Sequence, residues 1–204
     1  MYTKEQLCND LNIPNIPPPT DLLDYDCYSL GGHVADQLRF IKKHYPSDKT
    51  LLIAEIGVWV GFTALEMAEQ FDCFVFAVDW FQGSDRLKRK TWNSPPWARA
   101  LPIMKEQCLS NIVHRGLWDK VIVIPETSME AVKYFPDHFF DVVSIDACHE
   151  TQAVYDDVTH WGPKVKQGQY LIGDDIQLEM VRKALTMADM EPDGSFHYFW
   201  WKQV

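Results

Sequence analysis

The chain has 204 residues, 47% of them hydrophobic and 24% charged, with a formal net charge of −10. That length supports one substantial core rather than two domains, and the acidic balance argues against nucleic acid, whose phosphates draw on clustered Lys and Arg. No apolar run is long enough for a membrane helix, residues 1–10 lack the apolar centre of a signal peptide, and five cysteines without a C-x-x-C spacing argue against a zinc cluster or a disulfide framework. A reducing cytoplasm is the expected setting.

Residues 1–32 are expected to form an irregular arm or cap, because Pro14, Pro17, Pro18 and Pro19 prevent a long helix. Val34, Leu38 and Ile41 then recur at helical spacing. From residue 51 onward apolar strands are predicted at 51–56, 73–78, 121–124, 140–145, 170–173 and 196–201. Between them lie helical stripes: Ala64, Ala68 and Phe71; Met104, Cys108 and Ile112; Val154, Val158 and Trp161; Val181, Ala184, Leu185 and Ala188. Such alternation predicts an α/β fold, a mainly parallel sheet of six or seven strands with helices on both faces. Ligands on such sheets bind beyond the carboxyl ends of the strands. That rule gathers Glu55, Asp79, residues 126–128, Asp146 and Asp174 at one edge.

Residues 80–102 break the rhythm, and a loop of that length in a compact fold is often functional. It is expected to be a lid on the substrate side, with Trp92, Pro95, Pro96 and Trp97 shaping the acceptor pocket. Its basic cluster, Arg86, Lys88, Arg89 and Lys90, suits an anionic substrate. A solvated excursion explains the same residues without any ligand.

The most telling stretch is the one that follows the first strand, Glu55-Ile56-Gly57-Val58-Trp59-Val60-Gly61-Phe62-Thr63. A strand runs into a turn with glycines at positions 57 and 61, and the helix N-terminus behind it aims free N–H groups at the turn. Asp79 ends the next strand, where a carboxylate can hold a ribose diol. Together they point to a nucleoside-bearing cofactor. A dinucleotide fingerprint would need a second glycine where Trp59 stands. A plain strand-to-helix turn would also use these glycines.

The pattern Glu55-x-Gly57-x-x-x-Gly61 resembles the first motif of class I S-adenosylmethionine-dependent methyltransferases. The run Ile145-Asp146-Ala147-Cys148-His149-Glu150, with Asp156, Asp157, Trp161-Gly162-Pro163 and the Lys166-Gln167-Gly168 turn, resembles the subgroup called methyltransferase family 24. The chain is also similar to metal-dependent catechol O-methyltransferases. That resemblance implies a Rossmann-like methyltransferase fold in a single domain. It places Glu55, Gly57, Trp59, Gly61, Thr63, Asp79, Ser128 and Asp146 around the cofactor, with Ser128 facing the adenine; Trp80, directly after Asp79, can lie against the adenine or serve as a core tryptophan. It further implies a divalent-cation site, for magnesium or a similar ion, at Asp146, Asp174 and Asp175, the last standing where asparagine is usual. The resemblance puts His149 at the position of the catechol enzymes' lysine base, with Asp146 beside it in the catalytic group.

Physical chemistry agrees with that carry-over. Three oxygen ligands leave coordination positions for water and substrate, and adjacent aspartates repel unless a cation or a proton relieves them. An imidazole titrates near neutral pH and can take a hydroxyl proton. Two plainer uses stay open: an aspartate here can N-cap the helix expected from residue 177, and His149 can simply order its loop. His33 is a weaker candidate for the cleft. The reading is therefore O-methylation of a small-molecule hydroxyl, with a homodimer allowed and neither nucleic acid nor membrane as partner. An amine or sugar acceptor, a nucleotide-dependent oxidoreductase and a non-catalytic cofactor-binding module are the alternatives. Because the chain shows one clear strand near its end, the last strand of the fold is expected to be short or missing.

Overall fold

The computed structural model describes residues 2–27, 34–83 and 101–204. Four strands fall where the apolar runs place them: β1 (Leu51–Ile56), β2 (Cys73–Val78), β3 (Val121–Ile124) and β4 (Phe140–Ile145). β5 (Val165–Gly173) starts before residue 170 and carries an irregularity. Its pairing with β4 shifts register after Phe140↔Val165, and Gly168 takes a φ of +75° in the interruption. The expected terminal strand over 196–201 is really a hairpin, β6 (Gly194–Phe196) and β7 (Phe199–Gln203). His197, at a φ of +54°, turns the chain between them without the glycine or proline that would have marked the turn in the sequence. The final strand is therefore present, and it is short.

The seven strands form one sheet in the order β3-β2-β1-β4-β5-β7-β6. β1 to β5 run parallel, while β7 lies antiparallel between β5 and β6. Helices cover both faces: α1 (Lys4–Leu11), α2 (Val34–His44), α3 (Phe62–Gln70), α4 (Met104–His114), the single turn α5 (Ser128–Ala131), α6 (Thr151–Trp161) and α7 (Glu179–Met187). Among the described residues no helix is long and apolar enough to cross a membrane.

Helix α1 lies inside the segment expected to be irregular. Thr3 and Gln6 cap each other reciprocally at its start, and Asn12 ends it in the left-handed region before Pro14. Its Leu7 and Cys8 are buried. The prolines prevent a long helix, not a short one upstream of them.

Strand alternation divides the core. Leu51 and Ile53 of β1 face α2, α3 and α4 in one cluster with Ile41, Leu65, Met67, Cys108 and Ile112. Leu52, Ala54 and Ile56 face the other side, against Leu7, Val158, Trp161, Val181 and Leu185. Every residue of β1 is buried, as a central parallel strand covered on both faces requires.

At the amino end of the sheet, Asp141 is a fully buried carboxylate. It accepts the Leu52 N–H at 2.9 Å and pairs with Lys49 at 2.7 Å and Lys166 at 3.0 Å. Burial pushes its pKa up, but the Leu52 N–H and the two lysines outweigh burial and leave it below the ordinary value. Asp141→Asn is expected to cost roughly 2–3 kcal/mol at neutral pH, because a buried charge-assisted network loses its anion. A depressed carboxylate stabilises above its unfolded pKa and stops doing so as pH falls through the folded value. The stability gap between the two proteins in urea titrations should thus be full at neutral pH and shrink below about pH 4.

Candidate functional site at the carboxyl edge

The strand ends are aligned one residue beyond the strands themselves. Gly57 N–H donates to the Val78 carbonyl, Asp79 N–H to Ile124, Asp146 N–H to Ile56, and Asp174 N–H to Ile145. These bonds fix Gly57, Asp79, Asp146 and Asp174 in a row along one edge. Strand order reverses between β1 and β4, which makes the crevice above them the switch point of the sheet.

The turn after β1 is tightly determined. Gly57 has a φ of +94°, and a Cβ there would stand 2.2 Å from the Asp146 carbonyl oxygen. Trp59 also lies in the left-handed region, at a φ of +57°. Such a conformation costs a bulky residue ~1–3 kcal/mol and persists only where the surroundings impose it. Here the Trp59 N–H donates to Asp79 Oδ2 at 2.9 Å, and Gly61 N–H closes the turn on the Val58 carbonyl at 2.9 Å. The Val60 carbonyl accepts from Asn111 Nδ2, also at 2.9 Å. Gly61 is the N-cap of α3 and supplies no capping side chain, so the first N–H groups of α3 face the turn.

Asp79 therefore has a structural task. One oxygen accepts from Trp59 N–H and the other from Phe81 N–H at 2.7 Å. Burial raises its pKa, and the Trp59, Phe81 and Val58 N–H groups oppose that rise. Trp80, directly after it, is 39% exposed, which a core tryptophan would not be.

Glu55 lies at the end of β1 and is 2% exposed. Burial, then the negative charge of Asp146, drive its pKa well up, while the Thr63 hydroxyl and Ala64 N–H lower it. Its Oε2 is buried without a hydrogen-bond partner among the described residues. A buried unpaired carboxylate oxygen is costly, and a cationic or hydrogen-bonding ligand group would relieve it.

Ser128 opens α5, and its hydroxyl is engaged within the protein. It donates to Asp157 and accepts from Trp161 Nε1 at 2.8 Å. Burial pushes Asp157 up to about 6, with the Ser128 bond opposing. The hydroxyl expected to face an adenine thus joins α5 to α6.

Beyond β4, Asp146, His149 and Asp175 converge, with their nearest ligand atoms all within 4.8 Å of one another. His149 Nε2 lies 2.9 Å from Asp175 Oδ2 and 3.5 Å from Asp146 Oδ1. Neither approach has hydrogen-bond alignment at Nε2, so both are charge contacts. Burial works against the imidazolium, but the two carboxylates overcome it and raise His149 to about 10. Asp174 takes a different position. It is 3% exposed, its Oδ1 accepts the Asp175 N–H at 2.8 Å, and burial and Asp146 raise its pKa. Asp175 sits in the left-handed region at a φ of +58°. Neither aspartate caps α7, whose N-cap is Leu178.

Sequence reasoning did not reach the partners of this edge. Asn111 and Gln107 are buried polar residues on a helix with several other polar positions, so their type gives no signal, while the equally buried Asp157 entered only through the family resemblance. His33 and the basic and aromatic residues of the expected lid at 84–100 lie outside the described residues. A hollow bounded by Tyr2, Gln6, Asp10 and Thr50 lies at the opposite end of the sheet, away from these groups.

A doubly wound sheet of this order, with an acidic residue and a glycine turn at its switch point, is the fold of class I S-adenosylmethionine-dependent methyltransferases. The family model described as a methyltransferase domain, that of family 24, matches residues 54–176, and the chain belongs to this family. It is an S-adenosylmethionine-dependent methyltransferase, which removes the oxidoreductase alternative. The structure is similar to that of the O-methyltransferase NovP, with a TM-score of 0.60 and 19% identity over 84% of this chain and 77% of that one. It also resembles an S-adenosylmethionine-dependent O-methyltransferase from Thermotoga maritima, at a TM-score of 0.57 and 14% identity over 83% and 65% of the two chains. A methyltransferase structure from Methanococcus maripaludis, described as S-adenosylmethionine-dependent, aligns at a TM-score of 0.56 and 14% identity over 84% of each chain. At these identities the likeness is one of fold. No match is found among curated protein sequences.

Proposed function

We propose that this methyltransferase methylates a hydroxyl oxygen of a small molecule with the help of a divalent cation held at Asp146 and Asp175. The observation that carries the reading is the convergence of these carboxylates with His149 beside the cofactor turn. Bound S-adenosylmethionine supplies an electrophilic methyl group, and a bound cation would lower the pKa of an acceptor hydroxyl.

The chain's own residues would act as follows. Glu55 Oε2, buried and without a partner among the described residues, suits the ammonium of the amino-acid half of the cofactor. Gly57, Trp59, Gly61 and Thr63 shape the turn that receives the cofactor, and Asp79 fixes that turn while its remaining lone pairs suit ribose hydroxyls. Trp80 offers an exposed ring to the adenine. Ser128 contributes through the α5–α6 junction rather than by a free hydroxyl. His149 takes the acceptor proton, and Asp174 orients Asp175 through its backbone N–H. A second reading has a specific observation in its favour. His149 lies within the converging set itself and can be the third cation ligand in place of Asp174.

The test is calorimetric titration with S-adenosylhomocysteine, with and without magnesium, using NADH as the control. Binding of the homocysteine compound alone, tightened by magnesium in the natural chain but not in Asp175→Ala, is the expected result. Equal binding with and without magnesium would remove the cation from the proposal.

A further inference from the structure

Helix α4 carries a second stripe beside its apolar one. Gln107, Ser110, Asn111 and His114 recur at helical spacing, and the first three are buried. The stripe is covered by residues 23–27, which run along it as a strap. Leu23 N–H donates to Ser110 Oγ at 3.1 Å, and the Leu23 carbonyl meets His114 Nε2 at 2.8 Å. Gln107 Nε2 donates to the Asp24 carbonyl at 2.8 Å.

Asn111 is the centre of this arrangement, fully buried with its amide completely used. Its Oδ1 accepts from Asp26 N–H at 3.1 Å and Gln107 Nε2 at 3.0 Å. Its Nδ2 donates to the Asp26 carbonyl at 3.1 Å and to the Val60 carbonyl at 2.9 Å. An asparagine amide offers two donors and an acceptor oxygen with two lone pairs, so each contact has a fixed direction. The last of them reaches the turn after β1. The strained Trp59–Val60 segment is thereby held from both sides, by Asp79 at the Trp59 N–H and by Asn111 at the Val60 carbonyl.

We propose that Asn111 is a positioning residue for cofactor binding, holding the turn that carries the left-handed Trp59 and tying it to the strap at residues 23–27. The inference rests on the reading of this turn as the cofactor's seat. Asn111 touches no substrate; it acts through the shape of the turn. Without it, the Val60 carbonyl keeps only the weak Cys27 Sγ contact at 3.8 Å, and the turn is fixed mainly from the Asp79 side.

The intact chain, Asn111→Ser and Val158→Ala are titrated with S-adenosylhomocysteine at a temperature where all three are folded. Val158, on the opposite face of the sheet, supplies a destabilised protein whose turn is untouched. Asn111→Ser is expected to raise Kd about tenfold, equivalent to roughly 1.4 kcal/mol, while Val158→Ala stays within about twofold despite its cavity. Equal shifts in the two variants, or none in Asn111→Ser, would overturn the proposal, since a residue that merely supports the fold predicts no difference between them. Should Asn111→Ser not fold, Gln107→Met leaves Asn111 in place and removes the bond that orients its amide together with the bond to the Asp24 carbonyl of the strap. The same expectation then applies at about threefold, and an unchanged Kd refutes it. Absence of binding by the natural chain would instead refute the cofactor reading itself.

Discussion

Replacing Gly57 with alanine is expected to abolish binding of S-adenosylhomocysteine and to destabilise the protein by roughly 3 kcal/mol or more. The reason is steric and conformational at once. The added Cβ would stand 2.2 Å from the Asp146 carbonyl oxygen and 2.6 Å from Ala147 Cα, both parts of backbone, at a φ of +94° that alanine rarely adopts. Relief requires β1 and the loop after β4 to separate, which breaks the Asp146–Ile56 hydrogen bond that aligns the edge. For a chain of this size the loss corresponds to a fall in melting temperature of about 10 °C. Scanning calorimetry together with titration checks both halves. A Gly57→Ala protein that melts normally and binds normally would mean the strand ends are not held as described.

His149→Asn is expected to reduce methyl transfer by about 10²–10⁴-fold, the range for removal of a general base. The assay is release of S-adenosylhomocysteine over a panel of small hydroxylated acceptors, with the natural chain identifying the acceptor first. The electrostatics supply a second readout. With its two carboxylates unneutralised, His149 is held near 10 and carries a proton at neutral pH. A cation taking the charge of Asp146 and Asp175 removes what retains that proton, so magnesium binding should release up to about one proton. Calorimetry in buffers of different ionisation enthalpy measures the release, and His149→Asn should abolish it. Magnesium affinity distinguishes the two roles. If His149 is only a base, substitution removes the proton that magnesium must displace and tightens magnesium binding, whereas loss of a ligand weakens it by about tenfold or more.

The parallel half of the sheet was legible because β1 to β4 are predominantly apolar runs, broken only by Glu55, Asp141 and Ser144, and have no competing pattern. The glycine turn and the acids beyond the strand ends were legible for a related reason: the switch-point rule assigns them to one edge from strand order alone. The closing hairpin was not, since Phe196-His197-Tyr198-Phe199 reads as continuous strand and its turn depends on His197 adopting a positive φ. Helix α1 was hidden behind the prolines that follow it. At the site, residue types predicted who gathers but not who touches whom. Asp79 is occupied by the turn and Ser128 by Asp157, while His149 rather than Asp174 meets the other two acids. Those choices are made by side-chain directions, which a sequence does not carry. Asn111 escaped notice because a polar residue on a helix is ordinarily solvated, and only the strap makes it an interior one.

The strap also bears on how the molecule assembles. Its bonds join Leu23 to Ser110 and Asp26 to Asn111 across separations of 87 and 85 residues, and Gln107 reaches Asp24 across 83. Closing loops of that length is entropically unfavourable until both ends are already presented, so such contacts tend to form late. The turn after β1 is local in sequence, yet one of its two anchors arrives on α4 and is itself completed by the amino-terminal strap. The central β1–β4 pairing closes a loop of similar length, with Ile53 opposite Val142, so a refolding chain would regain ligand affinity only once both the sheet and the docking of residues 23–27 are complete.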